Sequence, residues 1–137
     1  MGLRDGVIDL VDAGHPPPYL LRDGVATTVD LVPGLPLGVG SDPYAEQRLR
    51  LEPGDRLVMV TDGFLERNAV HVPLRDLLEA SVDRHPREVV RELAGQVLAA
   101  TGGQLRDDAT VLCIDWYGPG AVRQAAGGAS RDRATSA

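Results

Sequence analysis

The chain has 137 residues, and 14 arginines against 20 acidic residues give it a formal net charge of −6 at pH 7, with no lysine. This acidic balance excludes a basic protein that binds nucleic acid through its charge. With 43% hydrophobic and 25% charged residues, the composition is that of one globular domain rather than of a disordered chain.

The chain contains a single cysteine, Cys113. Without a second cysteine it forms no intramolecular disulfide and no closed cysteine-based zinc site. Because it stands in an apolar segment, its thiol is expected to be an inert core group. No uninterrupted apolar run approaches the roughly 18 residues of a membrane span, and the amino terminus has no apolar segment of signal-peptide length. The sequence therefore predicts a soluble protein of the reducing cytoplasm that does not attach to a membrane.

The first third of the chain has the pattern of short β-strands. Strands are predicted at residues 7–11, 19–21 and 25–29. The proline-rich residues 14–18 form a rigid connection between the first two strands, and Asp23-Gly24 is suited to the hairpin turn before the third. The beginning of the protein is therefore expected to be β-structure.

Two later segments, residues 57–60 and 111–114, are apolar at every position. This pattern is typical of interior strands that are covered on both faces. Before them, Leu49 and Leu51 alternate with charged residues, which predicts a half-buried strand. Because they are the most apolar segments, 57–60 and 111–114 are expected to lie at the centre of the fold.

Two amphipathic helices are predicted between these central strands, each beginning behind a proline that suits the first helical position. Apolar residues recur with helical spacing at Leu74, Leu77, Leu78 and Val82 behind Pro73, and at Val89, Val90, Leu93 and Val97 behind Pro86. Residues 101–103, Thr-Gly-Gly, end the second helix.

The last twenty residues, 118–137, contain one large apolar residue, Val122. Such a segment cannot bury enough surface to offset the entropy lost on ordering. We therefore expect a folded body over residues 1–117 and a disordered tail over 118–137.

Acidic residues stand at the ends of the two central strands. Asp62-Gly63 follows strand 57–60 directly, and Asp107-Asp108 precedes strand 111–114. If the strands are antiparallel neighbours, both acidic pairs lie at one edge of the sheet. Clustered carboxylates repel one another, and a hard cation such as Mg²⁺ or Mn²⁺ relieves that repulsion. The alternative interpretation is a plain Asp-Gly turn and a solvated strand entry.

Five short motifs occur in register along the chain: DAGHPPP at 12–18, PLG at 36–38, PGD at 53–55, TDG at 61–63 followed by Glu66, and DDAT at 107–110. Together, over about residues 5 to 117, they resemble the second half of a PPM-type metal-dependent serine/threonine phosphatase. The resemblance is to the branch of the stage II sporulation protein E and the bacterial sigma-factor regulatory phosphatases.

This resemblance implies an α+β fold, a β-sandwich flanked by helices in αββα layers, with two Mn²⁺ or Mg²⁺ ions at one end of the sandwich. By position, Asp62 and Asp107 resemble metal-ligand aspartates, with Gly63 and Asp108 in supporting positions, and residues 12–18 look structural. The implied reaction is hydrolysis of a phosphoserine or phosphothreonine ester. The implied partner is a phosphorylated bacterial protein, typically an anti-sigma-factor antagonist.

The family's earlier motif, Gly-Asp-x-x-Gly-His-Gly, does not occur in this sequence. We therefore expect residues 1–117 to be the carboxyl-terminal part of a phosphatase domain that is weakly active or inactive alone. The alternative is a catalytically dead remnant that acts as a binding or regulatory module. Because part of the sandwich is lacking, strand 57–60 in particular is expected to expose apolar surface and to favour self-association.

Overall fold

The computed structural model describes residues 5–68, 73–103 and 108–120, and for residues 66–68 it describes the backbone only. Within these ranges the elements, in chain order, are β1 (Val7–Val11), β2 (Tyr19–Arg22), β3 (Val25–Thr28), β4 (Glu46–Arg50), β5 (Arg56–Val60), α1 (Asp62–Asn68), α2 (Leu74–Glu79), α3 (Pro86–Ala100) and β6 (Val111–Asp115). Most of the predicted disordered tail lies outside the described residues.

The described strands form two antiparallel sheets. Strands β1 and β4 pair in a two-stranded sheet, and the other four strands form a sheet in the order β3-β2-β5-β6. Together with the helices, this arrangement confirms the predicted α+β class.

The core has two parts, one on each face of the four-stranded sheet. On one face, Val58 and Val60 of β5 pack with buried residues of all three helices. On the other face, Leu57 packs with Ile8 of β1 and with Leu51, which follows β4. This alternation is the two-residue period of a strand with an apolar layer on each side. The described part of the chain thus forms a helical layer, a four-stranded sheet and a two-stranded sheet.

Strand β5 is an interior strand of the four-stranded sheet, as predicted. It is paired along both edges, and Leu57, Val58 and Val60 are each no more than 1% exposed. The expectation that segment 57–60 exposes apolar surface is therefore wrong. The other predicted interior segment, 111–114, forms β6, which stands at one edge of the described sheet and leaves Leu112 49% exposed, so the prediction that it is covered on both faces is wrong.

The helices differ from the prediction in two respects. Helix α1 was not predicted, because its described apolar positions, Phe64 and Leu65, are too few to show helical periodicity. Helix α2 ends at Glu79, so Val82 lies beyond it and is 48% exposed. Helix α3 begins at Pro86 and is followed by Thr101 as its C-cap, as predicted.

The proline-rich connection packs against a second loop. The Asp12 carboxylate accepts a hydrogen bond from the His15 amide at 2.8 Å, which closes a local turn. Gly14 has a φ of +84°, and a Cβ there would lie 2.9 Å from Cγ of Pro36. The motifs at 12–18 and 36–38 therefore meet in the structure.

Candidate metal centre

The ends of β5 and β6 meet at one edge of the four-stranded sheet. The two strands are antiparallel, with Val60 opposite Val111. One residue further on, the Thr61 amide donates to the Thr110 carbonyl at 3.1 Å, and the Thr110 amide donates to Thr61 Oγ1 at 2.9 Å. This is the antiparallel pairing on which the prediction of a shared acidic edge depended.

The described aspartates of the candidate site stand just beyond this threonine pair. Asp62 is the first residue of α1 and is exposed, and Asp108 is exposed two residues before Thr110. Gly63, in the first turn of α1, is half-buried. Asp107 lies outside the described residues, so its proximity to Asp62 stays a prediction. Of the alternative interpretation, the plain Asp-Gly turn is wrong, because Asp62-Gly63 begins a helix, whereas the exposed Asp108 agrees with a solvated strand entry.

The oxygen donors at this edge are of the type that binds a hard divalent cation, but the described ones are too few to hold it. Carboxylate oxygens are the ligands that Mg²⁺ and Mn²⁺ prefer. Over residues 5–68, 73–103 and 108–120, however, no three His, Cys, Asp or Glu side chains come together in a group that could hold a metal ion. Of the two aspartates that the sequence predicts as ligands, the described part of the chain contains Asp62 alone, and Asp107 and further ligands would have to be added.

The opposite end of the sheet holds two ion pairs that no sequence pattern indicated. Arg22 donates from Nε and Nη2 to Asp55, which is 2% exposed and also accepts the Glu52 amide at 2.7 Å. Asp55 belongs to the PGD motif, so that motif has a structural role here. The hydrogen bond to Asp55 raises the pKa of Arg22.

Arg56 and Asp115 form the second pair, and with Asp55 they line a cavity of about 320 Å³. The cavity also includes Trp116 and Tyr117, and its Asp115 carboxylate accepts hydrogen bonds from Arg56 and from the Tyr117 hydroxyl. Because these pairs lie at the far ends of β5 and β6, the cavity is separate from the candidate metal centre.

The described histidines do not converge on a site. The His15 ring bonds to the Pro16 carbonyl through Nδ1, and the His85 ring accepts the Arg87 amide at the start of α3. Cys113 is partly buried, and this burial raises its pKa to about 11. The prediction of an inert core thiol agrees with this direction. His71 lies outside the described residues.

Comparison with known proteins shows which family the chain matches. The family model described as Stage II sporulation protein E matches residues 2–117. The comparison with curated proteins gives no match. No helix in the described part of the chain is long and apolar enough to cross a membrane.

Three of the matching solved structures come from Bacillus subtilis and Mycobacterium tuberculosis. The phosphatase domain of the cell fate determinant SpoIIE from Bacillus subtilis, presoaked with Mn, superposes with a TM-score of 0.66 and 22% identity, over 90% of this chain and 56% of that chain. The RsbU and RsbW domains of a Mycobacterium tuberculosis protein give 0.71 and 26%, over 87% and 35%. The serine/threonine phosphatase PstP/Ppp of the same organism gives 0.63 and 21%, over 81% and 55%.

Each of these likenesses covers most of this chain but a smaller share of the matched one. The chain spans 56%, 35% and 55% of the three structures, respectively.

Proposed function

The chain belongs to the stage II sporulation protein E family, and on this premise we propose that it forms part of a metal-dependent phosphatase domain. The proposed reaction is hydrolysis of phosphoserine or phosphothreonine in a bacterial signalling protein. The observation that carries the proposal is the antiparallel pairing of β5 with β6, which puts Asp62 and Asp108 beyond the same sheet edge.

The residues of this edge have distinct proposed roles. Asp62 and Asp107 would hold Mn²⁺ or Mg²⁺, and Asp108 and Gly63 would support them. Ions held there would supply activation of an attacking water and neutralisation of charge on the phosphoryl group. The chain's own contribution is to place Asp62 at the start of α1, next to Thr61, which pairs with Thr110 at the entry to β6.

The proposed substrate is a phosphorylated regulatory protein of the cytoplasm. The support comes from a relative whose matched structure contains RsbU and RsbW domains and from another that is a serine/threonine phosphatase. An anti-sigma-factor antagonist, which the motif resemblance implies, is the specific partner we propose. The net charge of −6 gives no support to a nucleic-acid partner.

A second candidate function is a catalytically dead module that binds a regulatory partner. The observation that favours it is the incomplete ligand set among the described residues. In this case the chain would keep the family fold, and the acidic edge would hold no pair of metal ions.

The two candidates are separated by completing the domain. The test fuses the amino-terminal part of the Bacillus subtilis SpoIIE phosphatase domain to this chain and measures Mn²⁺-dependent phosphate release from a phosphoserine peptide. We expect turnover that Asp62→Asn abolishes and that Asp83→Asn, an exposed acid after α2, leaves unchanged. A folded fusion without Mn²⁺-dependent turnover would favour the binding module.

A further inference from the structure

We propose that Thr61 is a positioning residue, whose hydroxyl holds the Asp62 end of the proposed metal centre against the Asp108 end. The inference rests on the proposed function, because it concerns the same edge. It assigns a role to a side chain that is not itself a candidate ligand.

The last β5–β6 pair has an irregular set of hydrogen bonds. In a regular antiparallel pair, two opposite residues exchange both amide-to-carbonyl bonds. The Thr61 amide makes one of these bonds with the Thr110 carbonyl at 3.1 Å. The Thr61 carbonyl, however, accepts the Phe64 amide at 2.9 Å, because the chain turns here into α1. The Thr110 amide makes its bond to the Thr61 side chain instead, so the second bond of the ladder is not a backbone bond.

The Thr61 hydroxyl replaces the diverted carbonyl. Its Oγ1 accepts the Thr110 amide at 2.9 Å, so β6 stays paired to β5 although the β5 backbone has already begun a helix. Asp62 is the next residue in the chain, and Asp108 is two residues before Thr110. One side chain thus connects the strand end, the helix start and the entry to β6.

The hydroxyl is required because a strand-to-helix junction leaves an amide without its normal acceptor. A valine has the same shape as threonine but accepts no hydrogen bond, so it would free the Thr110 amide. A serine retains the acceptor. Since a typical hydrogen bond contributes a modest free energy, its loss should alter the local geometry of the two aspartates rather than unfold the protein.

The test is a Mn²⁺ titration of the isotope-labelled chain, followed by paramagnetic broadening of the Asp62 and Asp108 amide signals. We expect Thr61→Val to raise the Mn²⁺ concentration for half-maximal broadening about three- to tenfold, the equilibrium change that matches one net hydrogen bond. Thr61→Ser should restore the wild-type value. Thr101→Val is the matched control, because it removes a hydroxyl bonded to Val97 at the far end of α3.

A second readout does not require metal. The Thr110 amide should exchange slowly with solvent in the wild type and in Thr61→Ser, and faster in Thr61→Val. If Thr61→Val does not fold, Thr61→Ala removes the same acceptor without added bulk. Fast exchange of the wild-type Thr110 amide would overturn the proposal whichever variants fold.

The outcomes distinguish this inference from the proposed function. If Mn²⁺ broadens neither Asp62 nor Asp108 in the isolated wild-type chain, whose described residues lack a complete ligand set, the exchange readout decides. A slowly exchanging Thr110 amide in Thr61→Val would then overturn the positioning role, whereas the proposed function stands or falls with the turnover of the fusion. If broadening occurs and Thr61→Val leaves its concentration dependence unchanged, the positioning role alone is overturned. That role is also overturned if Thr61→Ser shifts the concentration dependence as much as Thr61→Val.

Discussion

Arg56 and Asp115 form a paired hydrogen bond that joins β5 to β6 at the end opposite Asp62. Arg56 donates from Nε at 2.6 Å and from Nη2 at 2.9 Å, and the two side chains are only 5% and 12% exposed. Arg56 also donates to the Ser81 carbonyl at 2.7 Å. One buried guanidinium therefore connects both strands to the segment between α2 and α3.

We expect Arg56→Ala to lower the free energy of unfolding by about 3 kcal/mol or more, because it leaves a buried carboxylate without its counter-charge. Chemical denaturation measures the change. Arg48→Ala is the control, since Arg48 pairs with Asp9 at the surface and its loss should have little effect. Equal losses in the two variants would contradict the prediction.

Because of the partly buried Cys113 thiol, the free energy of unfolding is expected to fall at high pH. Burial raises its pKa to about 11 from the reference value of 9.0, so between these values the unfolded chain loses the thiol proton while the folded chain keeps it. Stability is therefore complete below about pH 9 and falls as the pH rises towards 11. Denaturation at a series of pH values should show the wild type losing stability relative to Cys113→Ala over this range. Parallel pH curves for the two proteins would contradict this.

The edge position of β6 should be visible in amide exchange. The backbone bonds of Thr110 and Trp116 to β5 show which residues of β6 face that strand. Because backbone amides point alternately to the two sides of a strand, the amides of Leu112 and Ile114 point towards β5. Those of Val111 and Cys113 point away from it. In the isolated chain, we expect Leu112 and Ile114 to exchange slowly and Val111 and Cys113 fast. Protection of all four amides would mean that another strand covers this edge, as self-association of the chain would produce.

The isolated chain should show little Mn²⁺-dependent phosphatase activity, because its described carboxylates are too few to hold a pair of ions. Hydrolysis of an aryl phosphate with added Mn²⁺ tests this, with Asp62→Asn as the comparison. Strong turnover that disappears in Asp62→Asn would show that this chain contains a complete site.

Replacement of Gly34 by alanine should lower the stability of the protein, and replacement of Gly95 by alanine should raise it. A Cβ at Gly34 would lie 2.1 Å from the Asp12 carbonyl oxygen, which the backbone can relieve only by moving the loop. Gly95 lies in α3 with no atom within 4 Å of its Cβ position, so alanine there should stabilise the protein by about 0.5–1 kcal/mol. Thermal melting of the two variants tests the contrast, and a harmless Gly34→Ala would be evidence against it.

The sequence alone determined the strands, the helices α2 and α3 and the family. A strand of four apolar residues such as 57–60 and a helix behind Pro86 follow from local patterns. Hydrophobic periodicity and the residues that begin or end a helix are both read within a few positions of the chain. The acidic residues at two strand ends also indicated one shared edge, and the β5–β6 pairing has the required direction.

Only the tertiary structure decided which apolar strand is interior and how the candidate edge is joined. Segments 57–60 and 111–114 are equally apolar, yet β5 has a strand on each side and β6 stands at the edge of the described sheet. That difference depends on neighbours distant in the chain, which no local pattern records. The role of the Thr61 hydroxyl likewise appears only when α1 diverts its carbonyl and the remote Thr110 amide needs an acceptor.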